Sequence, residues 1–358
     1  MAARPRAPGV PRVIGVGLLG YGFAGRSFHA PLLRAVEGFR ILGIVTRDPG
    51  RAEAARRENP GARVVDDAAS LLGERSIELV VVVTPNERHV PLGIAALEAG
   101  KHVVVDKPIA RSAAEATRLA DAALRSGRLL SVYQNRRWDG DFLTVRQLVG
   151  DGLLGPIDSI ESRFGSHLPE IAGWRERPEE AGGPLYDLGS HLVDQAVQLF
   201  GPVLRVYAEL DERRPGTLVP DSVFLSLTHA SGVRSRIWTS FVTAELGPRF
   251  LVRGTRGEFQ KFGRDVQERQ LIAGLGPGDD GWGSESEELW GTLRVAGAVP
   301  VERRLPTATG AYQRFYELLR DAIARGGPAP VEPAESIAVL RVLEAALVSA
   351  RERRAVEP

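Results

Sequence analysis

The segment Gly20-Tyr21-Gly22-Phe23-Ala24-Gly25 constrains the fold of this chain more than any other. It is a G-x-G-x-x-G that follows a short apolar run, Val13–Leu19, and leads into an Ala- and Leu-bearing stretch, Phe28–Glu37. Between a strand and a helix, the first glycine permits a tight turn. The second lets backbone approach a pyrophosphate, and the third lets helix and strand pack closely. The helix N-terminus then faces the phosphates. Elsewhere the same letters would be a glycine-rich turn, so the surroundings carry the weight.

Those surroundings keep a strand–helix rhythm. Ile41–Val45, Arg63–Val65, Leu79–Val83, His102–Val105 and Leu129–Tyr133 read as strands. Arg51–Glu58, Ser70–Leu72, Val90–Ala99 and Ser112–Ser126 read as helices. Leu79–Val83 is an unbroken branched-aliphatic run, as expected of a strand buried on both faces. The rhythm predicts a parallel sheet with helices on both sides.

After about residue 135 the pattern changes. Phe142–Val149 and Leu185–Phe200 read as helices, and Ile157–Phe164 alternates like a half-buried strand. Extended stretches follow at Leu204–Leu210, Val223–His229, Arg234–Val242 and Phe250–Arg253. Ala230-Ser231-Gly232 and Thr255-Arg256-Gly257 look like hairpin turns, so an open antiparallel sheet is expected here. Gly274–Gly283 reads as a loop, and Tyr312–Ala324 and Glu335–Arg353 as amphipathic helices. The expected division is a tail over 1–12, a dinucleotide-binding domain over 13–134 and a substrate and oligomerisation domain over 135–358.

Composition removes several function classes. The chain has 358 residues, room for about two domains of ~150 residues. Its net charge of +1 offers no global field for nucleic acid or anionic membrane. It has no cysteine, which excludes disulfides, thiol nucleophiles and Cys-ligated metal, and fits a reducing cytoplasm. Its six histidines form no H-E-x-x-H pair, and no metal site is expected. No apolar run approaches the length of a membrane span. The first dozen residues are read as a frayed tail rather than a targeting signal.

Candidate site residues sit where strands end. Past the second strand, Thr46-Arg47 stand where NAD enzymes carry an acid against the ribose, and Asp48 comes late. An arginine there pairs with a 2′-phosphate, so NADP is favoured, with NAD the alternative if Asp48 takes the ribose. Thr84-Pro85-Asn86 follow the buried strand, with His89 one turn on. Asn86 serves equally well as a helix N-cap. Asp106-Lys107-Pro108 follow the next strand, and Pro108 biases Lys107 towards extended backbone. A partly desolvated lysine there can exchange a proton or bind a reacting oxygen, or it is a surface lysine. Asp187 and His191 are four apart, on one face if helical. They form either a proton-relay pair or a capping Asp beside a core His. Asn135-Arg136-Arg137-Trp138-Asp139 and Trp174-Arg175 are aromatic–basic clusters, suited to polyol hydroxyls or cofactor, or equally to interdomain packing.

Taken in order, Gly20–Gly25, Thr84-Pro85-Asn86 with His89, Asp106-Lys107-Pro108, Trp174-Arg175 and the run Gly182–His191 resemble the Gfo/Idh/MocA oxidoreductases over nearly the whole chain. Leu18–Pro31 and Leu129–Leu143 resemble its NADP-dependent scyllo-inositol dehydrogenase branch. The resemblance implies α/β architecture: an N-terminal Rossmann doubly wound parallel sheet, then a C-terminal α+β domain with an open, mostly antiparallel sheet. It implies a homo-oligomer, dimer or tetramer, assembled through that sheet. The family's Glu-Lys-Pro is Asp-Lys-Pro here, which keeps the lysine. By position Lys107, Asp187 and His191 resemble the catalytic residues, and Trp174-Arg175 resembles a motif near the nicotinamide.

The implied chemistry is transfer of hydride between NADP(H) and a secondary alcohol of an inositol or similar cyclic polyol, with an aldose or other sugar as the runner-up. His191 is the first choice of base, oriented by Asp187 or with Asp187 on the substrate, while Lys107 stabilises the alkoxide and is the alternative base. Asn135, Arg136 and Trp138 are expected on the substrate side. A non-catalytic NADP-binding sensor would keep Gly20–Gly25 but need not keep Lys107, Asp187 and His191 together. A glycosidase or lyase that retains its cofactor is the other rival, separated by bulk cofactor turnover.

Overall fold

β1 (Ile14–Leu19) is buried along its whole length, as a strand covered by helices on both faces must be. The computed structural model describes residues 13–358 apart from 169, 171, 172 and 246. The tail expected over residues 1–12 lies outside the described residues. After β1 come α1 (Ala30–Ala35), β2 (Phe39–Val45), α2 (Pro49–Glu58), β3 (Arg63–Val65), α3 (Ala68–Leu72) and β4 (Leu79–Val82). They are followed by α4 (His89–Glu98), β5 (His102–Asp106), α5 (Ala113–Ser126) and β6 (Leu130–Tyr133). The strands form one parallel sheet in the order β3-β2-β1-β4-β5-β6. The order reverses between β1 and β4, so the crevice outside their carboxyl ends is the ligand position of this architecture. Asp48, Asp67 and Ser112 accept the N–H of Arg51, Ser70 and Glu115. These caps satisfy first-turn donors and fix where α2, α3 and α5 begin.

The chain then crosses through α6 (Gly140–Gly150) to β7 (Ile157–Gly165), α7 (Ser190–Phe200), β8 (Val203–Asp211), β9 (Ser222–His229), β10 (Arg234–Ser240), β11 (Phe250–Gly254) and β12 (Gly257–Lys261). α8 (Gln267–Ile272), β13 (Gly291–Val295), β14 (Val301–Leu305), α9 (Gln313–Arg325) and α10 (Pro333–Glu352) complete it. The second sheet runs β14-β13-β12-β11-β7-β10-β9-β8. Its pairings are antiparallel except β7 with β10. On β9, Val223, Leu225 and Leu227 are buried while Phe224, Ser226 and Thr228 are half-buried. The buried face packs on α7 and α10. The other face carries Phe224 against Trp238, with centroids 5.1 Å apart, and Arg163 4.1 Å over the indole. α9 and α10 return to the first sheet, packing on α1 and on α5 and β6.

Two expected helices start differently. A π-helical turn, Gly25–His29, precedes α1, and another, Leu185–Gly189, precedes α7. Such turns are common at functional sites, and here one follows the glycine loop and the other holds Asp187. β12, β13, β14 and α8 add to the expected elements. β14 is exposed at four of its five positions, so it has no apolar alternation to announce it. Among the described residues, no helix is long and apolar enough to cross a membrane.

Candidate active site

The cradle is built from absent side chains. Gly20 turns the chain at φ +116°, and a Cβ there would lie 2.1 Å from the Val83 carbonyl oxygen. A Cβ on Gly25 would lie 2.5 Å from the Gly20 oxygen. The protein's own packing therefore demands both glycines. Gly22 differs: within 4 Å a Cβ would meet only Arg51 Nη1, at 3.7 Å. The space over Gly22 is open, as close approach of a phosphate requires. Phe23 and Ala24 begin the helix, where the first N–H groups lack intrahelical acceptors. Phe23 is 58% exposed and sets its ring against Phe28. Across the crevice, Thr84 Oγ1 is buried with no hydrogen-bond partner among the described residues. Gly20→Ala is expected to lower the unfolding free energy by about 2–4 kcal/mol, read as a lower urea midpoint. An unchanged midpoint would contradict the close approach of Gly20 and Val83.

At the end of β2, Thr46 donates its N–H to Val65 and Arg47 Nε reaches the Asp66 carbonyl at 3.3 Å. Asp48 turns a carboxylate oxygen onto Arg51 N at 2.8 Å and caps α2. Arg51 was not singled out from the sequence. Its position, in the first helical turn after β2, was the available signal, because that turn borders the cradle.

Lys107 follows β5, and its Nζ donates to Asp187 Oδ1 at 2.8 Å and to the Asp187 carbonyl at 2.5 Å. Arg175 Nε donates to Asp187 Oδ2 at 2.7 Å and lies over the Trp174 ring at 4.7 Å. Burial works to raise the Asp187 pKa, but the two cations outweigh it and bring it down to about 2. Asp187 is therefore a carboxylate across the working pH range, locked to Lys107. The structure gives it to Lys107 and Arg175 rather than to His191, so orientation of His191 by Asp187 is corrected. His191 is buried, and its Nδ1 lies 3.2 Å from Gln134 Oε1. Burial, then the charges of Lys107, Arg136 and Arg249, push its pKa well below the usual 6.5. It is neutral at pH 7 and able to accept a proton.

Other expected site residues bond to the crevice loops themselves. His89 is 1% exposed, with Nδ1 2.8 Å from the Pro108 carbonyl and Nε2 2.9 Å from that of Thr84. It lies between two crevice loops, within reach of a carbonyl on each. Asn86 makes no cap; it donates to the Glu180 carbonyl at 2.7 Å, and Glu180 Oε2 accepts the N–H of Glu87. These bonds tie the Trp174–Glu180 segment across the crevice. Asp106 accepts its neighbour's N–H, from Lys107, at 2.8 Å, and its other oxygen is 3.9 Å from buried His29. Pro85 stays exposed beside Thr84.

The aromatic–basic cluster after β6 proves to be structural packing. Arg136 binds Glu268 at 2.6 Å and lies 4.5 Å over Phe164. Arg137 grips Asp194 through two bonds and also meets Glu335. Trp138 is buried against Phe315. Arg136 and Trp138, expected on the substrate side, are held in the packing between layers, and the Arg136 charge bears on His191. Arg136 also donates to the Tyr312 hydroxyl from Nη1, at 3.4 Å. Asn135 is buried beside them. Sequence reasoning missed Gln134, although it stands directly past β6, at the carboxyl edge where ligands bind. Among the described residues, no group of three or more His, Asp or Glu side chains is arranged to hold a metal ion.

The profile of the Gfo/Idh/MocA oxidoreductase family's NAD-binding Rossmann fold matches residues 14–134, and that of its C-terminal alpha/beta domain matches residues 146–357. The chain belongs to this family. Among Gfo/Idh/MocA relatives, it is 38% identical to the scyllo-inositol 2-dehydrogenase (NADP(+)) of Bacillus subtilis, over 96% of this chain and 95% of the relative. It is 27% identical to the D-apiose dehydrogenase of Paraburkholderia graminis, over 95% and 88%. It superposes on a solved Yersinia pestis oxidoreductase with TM-score 0.90 at 39% identity, covering 97% of each chain. The Gfo/Idh/MocA assignment accounts for both sheets and makes the protein an oxidoreductase.

Proposed function

We propose that the chain transfers a hydride between NADP(H) and a ring secondary alcohol of a cyclic polyol, scyllo-inositol or a related inositol. The observation that carries this reading is the Lys107–Asp187 ion pair at the end of β5, in the sheet that carries the glycine cradle, with the Lys107 charge bearing on a neutral His191. The 38% identity to a scyllo-inositol 2-dehydrogenase supports the substrate class. The D-apiose dehydrogenase relative supports the second reading, a sugar oxidised at a ring carbon. A pure sensor would have no use for the catalytic group.

The residues fit a dinucleotide, since Gly22 faces open space and Thr84 Oγ1 has no partner among the described residues. When bound, NADP⁺ supplies the hydride acceptor. Gly20, Gly22, Phe23, Ala24 and Gly25 would hold its pyrophosphate, and Thr46, Arg47 and Arg51 its 2′-phosphate. Thr84, Pro85, Asn86, Asp106, Lys107, Trp174 and Arg175 would border its nicotinamide end. The Asp48 cap supports NADP over NAD, because it occupies one of the two carboxylate oxygens that a ribose would need.

An ammonium has three N–H donors. Asp187 takes two from Lys107, and the third is left for the substrate oxygen, where it stabilises the developing alkoxide. His191 takes the hydroxyl proton as base. Arg175 holds Asp187 from the other side and keeps Lys107 in place. We further propose that the domains divide at 134/135. A second copy would cover the open sheet face bearing Phe224, Trp238 and Arg163, giving a dimer or tetramer. The absence of cysteine fits a cytoplasmic location.

A panel of inositols and aldoses, assayed by absorbance of the reduced nicotinamide, tests the substrate. Reduction by aldoses alone would keep the mechanism and overturn the polyol reading. For the cofactor, Arg47→Glu with Arg51→Glu is expected to raise KM for NADP⁺ about 100-fold and to leave KM for NAD⁺ nearly unchanged. Equal losses would exclude these arginines as readers of the 2′-phosphate.

A further inference from the structure

We infer that Gln134 is the residue that sets the tautomer of His191, holding Nδ1 protonated and leaving the Nε2 lone pair as the proton acceptor of the reaction. The inference rests on the reading of His191 as base and assigns it a positioning residue.

The geometry is local and rigid. Gln134 is 2% exposed and stands one residue past β6. Its N–H returns to the Val132 carbonyl at 2.8 Å and its carbonyl takes the N–H of Arg137 at 3.2 Å, so the backbone cannot swing. Arg137 is itself fixed by Asp194. From this platform Oε1 reaches His191 Nδ1 at 3.2 Å. An amide oxygen only accepts, so Nδ1 must donate.

The charges around the ring favour the same amide orientation. Lys107 beyond β5, Arg136 beyond β6 and Arg249 ahead of β11 bear on His191, while Asp187, one turn back, is spent on Lys107 and Arg175. In that cationic field the negative end of the amide dipole belongs towards the ring. A neutral imidazole carries a single N–H. With it on Nδ1, Nε2 accepts the substrate hydroxyl proton as the C–H hydride leaves for the cofactor and the carbon–oxygen bond becomes a carbonyl. The resulting imidazolium still donates from Nδ1 to Gln134. With the proton on Nε2 instead, the base would have no lone pair where it is needed, the failure expected of a misoriented catalytic histidine.

The test is ¹⁵N-histidine NMR of the whole protein, with the His191 signals identified by their loss in His191→Asn. The expected result is a protonated Nδ1 and an unprotonated Nε2 at pH 7. In Gln134→Leu that preference is lost, and kcat falls roughly 10–100-fold with KM for NADP⁺ unchanged. Gln134→Glu keeps an acceptor, retains the Nδ1–H tautomer and restores most of kcat. Its negative charge moves the acid limb of the pH–rate profile upwards by about one pH unit or more. A protonated Nε2 in the native protein, or a tautomer unaltered in Gln134→Leu, overturns the inference. If Gln134→Leu fails to fold, the native spectrum and the Gln134→Glu profile decide it. The spectrum needs no substrate, so an inactive protein with the expected tautomer would count against the polyol reading and leave the role of Gln134 intact.

Discussion

Lys107→Ala is expected to lower kcat for polyol oxidation about 10³-fold, with little change in the Kd for NADP⁺. The size of the loss follows from geometry. Two of the ammonium's donors are fixed on Asp187, so the third is preorganised for the oxygen on which charge develops. No neighbour can replace it, because Arg175 is held on the far oxygen of Asp187 and Arg136 on Glu268. Removing one partner of a buried pair leaves the other exposed to its desolvation penalty, about 3–5 kcal/mol where no partner remains. Here Arg175 stays on Asp187, so the melting temperature is expected to drop modestly. Steady-state kinetics and fluorescence titration with NADP⁺ check the two halves. A variant retaining a tenth of native kcat would remove Lys107 from the chemistry.

His191→Ala is expected to lower kcat by about 10²–10⁴-fold and to abolish the acid limb of the pH–rate profile. The sign follows from protonation. Because burial and three cations hold its pKa well below 6.5, native His191 is a competent base throughout the neutral range. Oxidation should therefore be flat from about pH 6.5 to 8 and fall only in more acid solution, as the ring protonates. Reduction of the ketone needs the imidazolium in the free enzyme and should slow as pH rises. Profiles of kcat/KM in both directions check this. An unchanged acid limb in His191→Ala would assign the titration to another group.

The parts of the site legible in the sequence were those with a local cause. Gly20 and Gly25 are dictated by contacts with Val83 and with each other, and their spacing declares it. The strand Leu79–Val82 is buried at every position because it is apolar at every position. Lys107, Asp187 and His191 were located by motif, but who holds whom was not legible. Asp187 chose Lys107 and Arg175, leaving Gln134, far away in sequence, to face His191. His89, Arg136, Arg137 and Trp138 had the residue types of a binding site, yet their partners come from distant segments: Pro108, Glu268, Asp194 and Phe315. Periodicity reports which face is buried. It does not report which of several long polar side chains meet there, since that depends on how the two sheets are brought together.

The most direct test of the central claim is a rapid-mixing experiment with NADP⁺ and scyllo-inositol, following reduced-nicotinamide absorbance through the first turnover and beyond. The account predicts one equivalent of NADPH per active site in the first turnover, continued release into solution afterwards, and loss of both phases in Lys107→Ala. Tight NADP⁺ binding without reduction by any polyol or sugar would contradict it. So would reduction that stops at one equivalent while the cofactor stays bound and the substrate is cleaved.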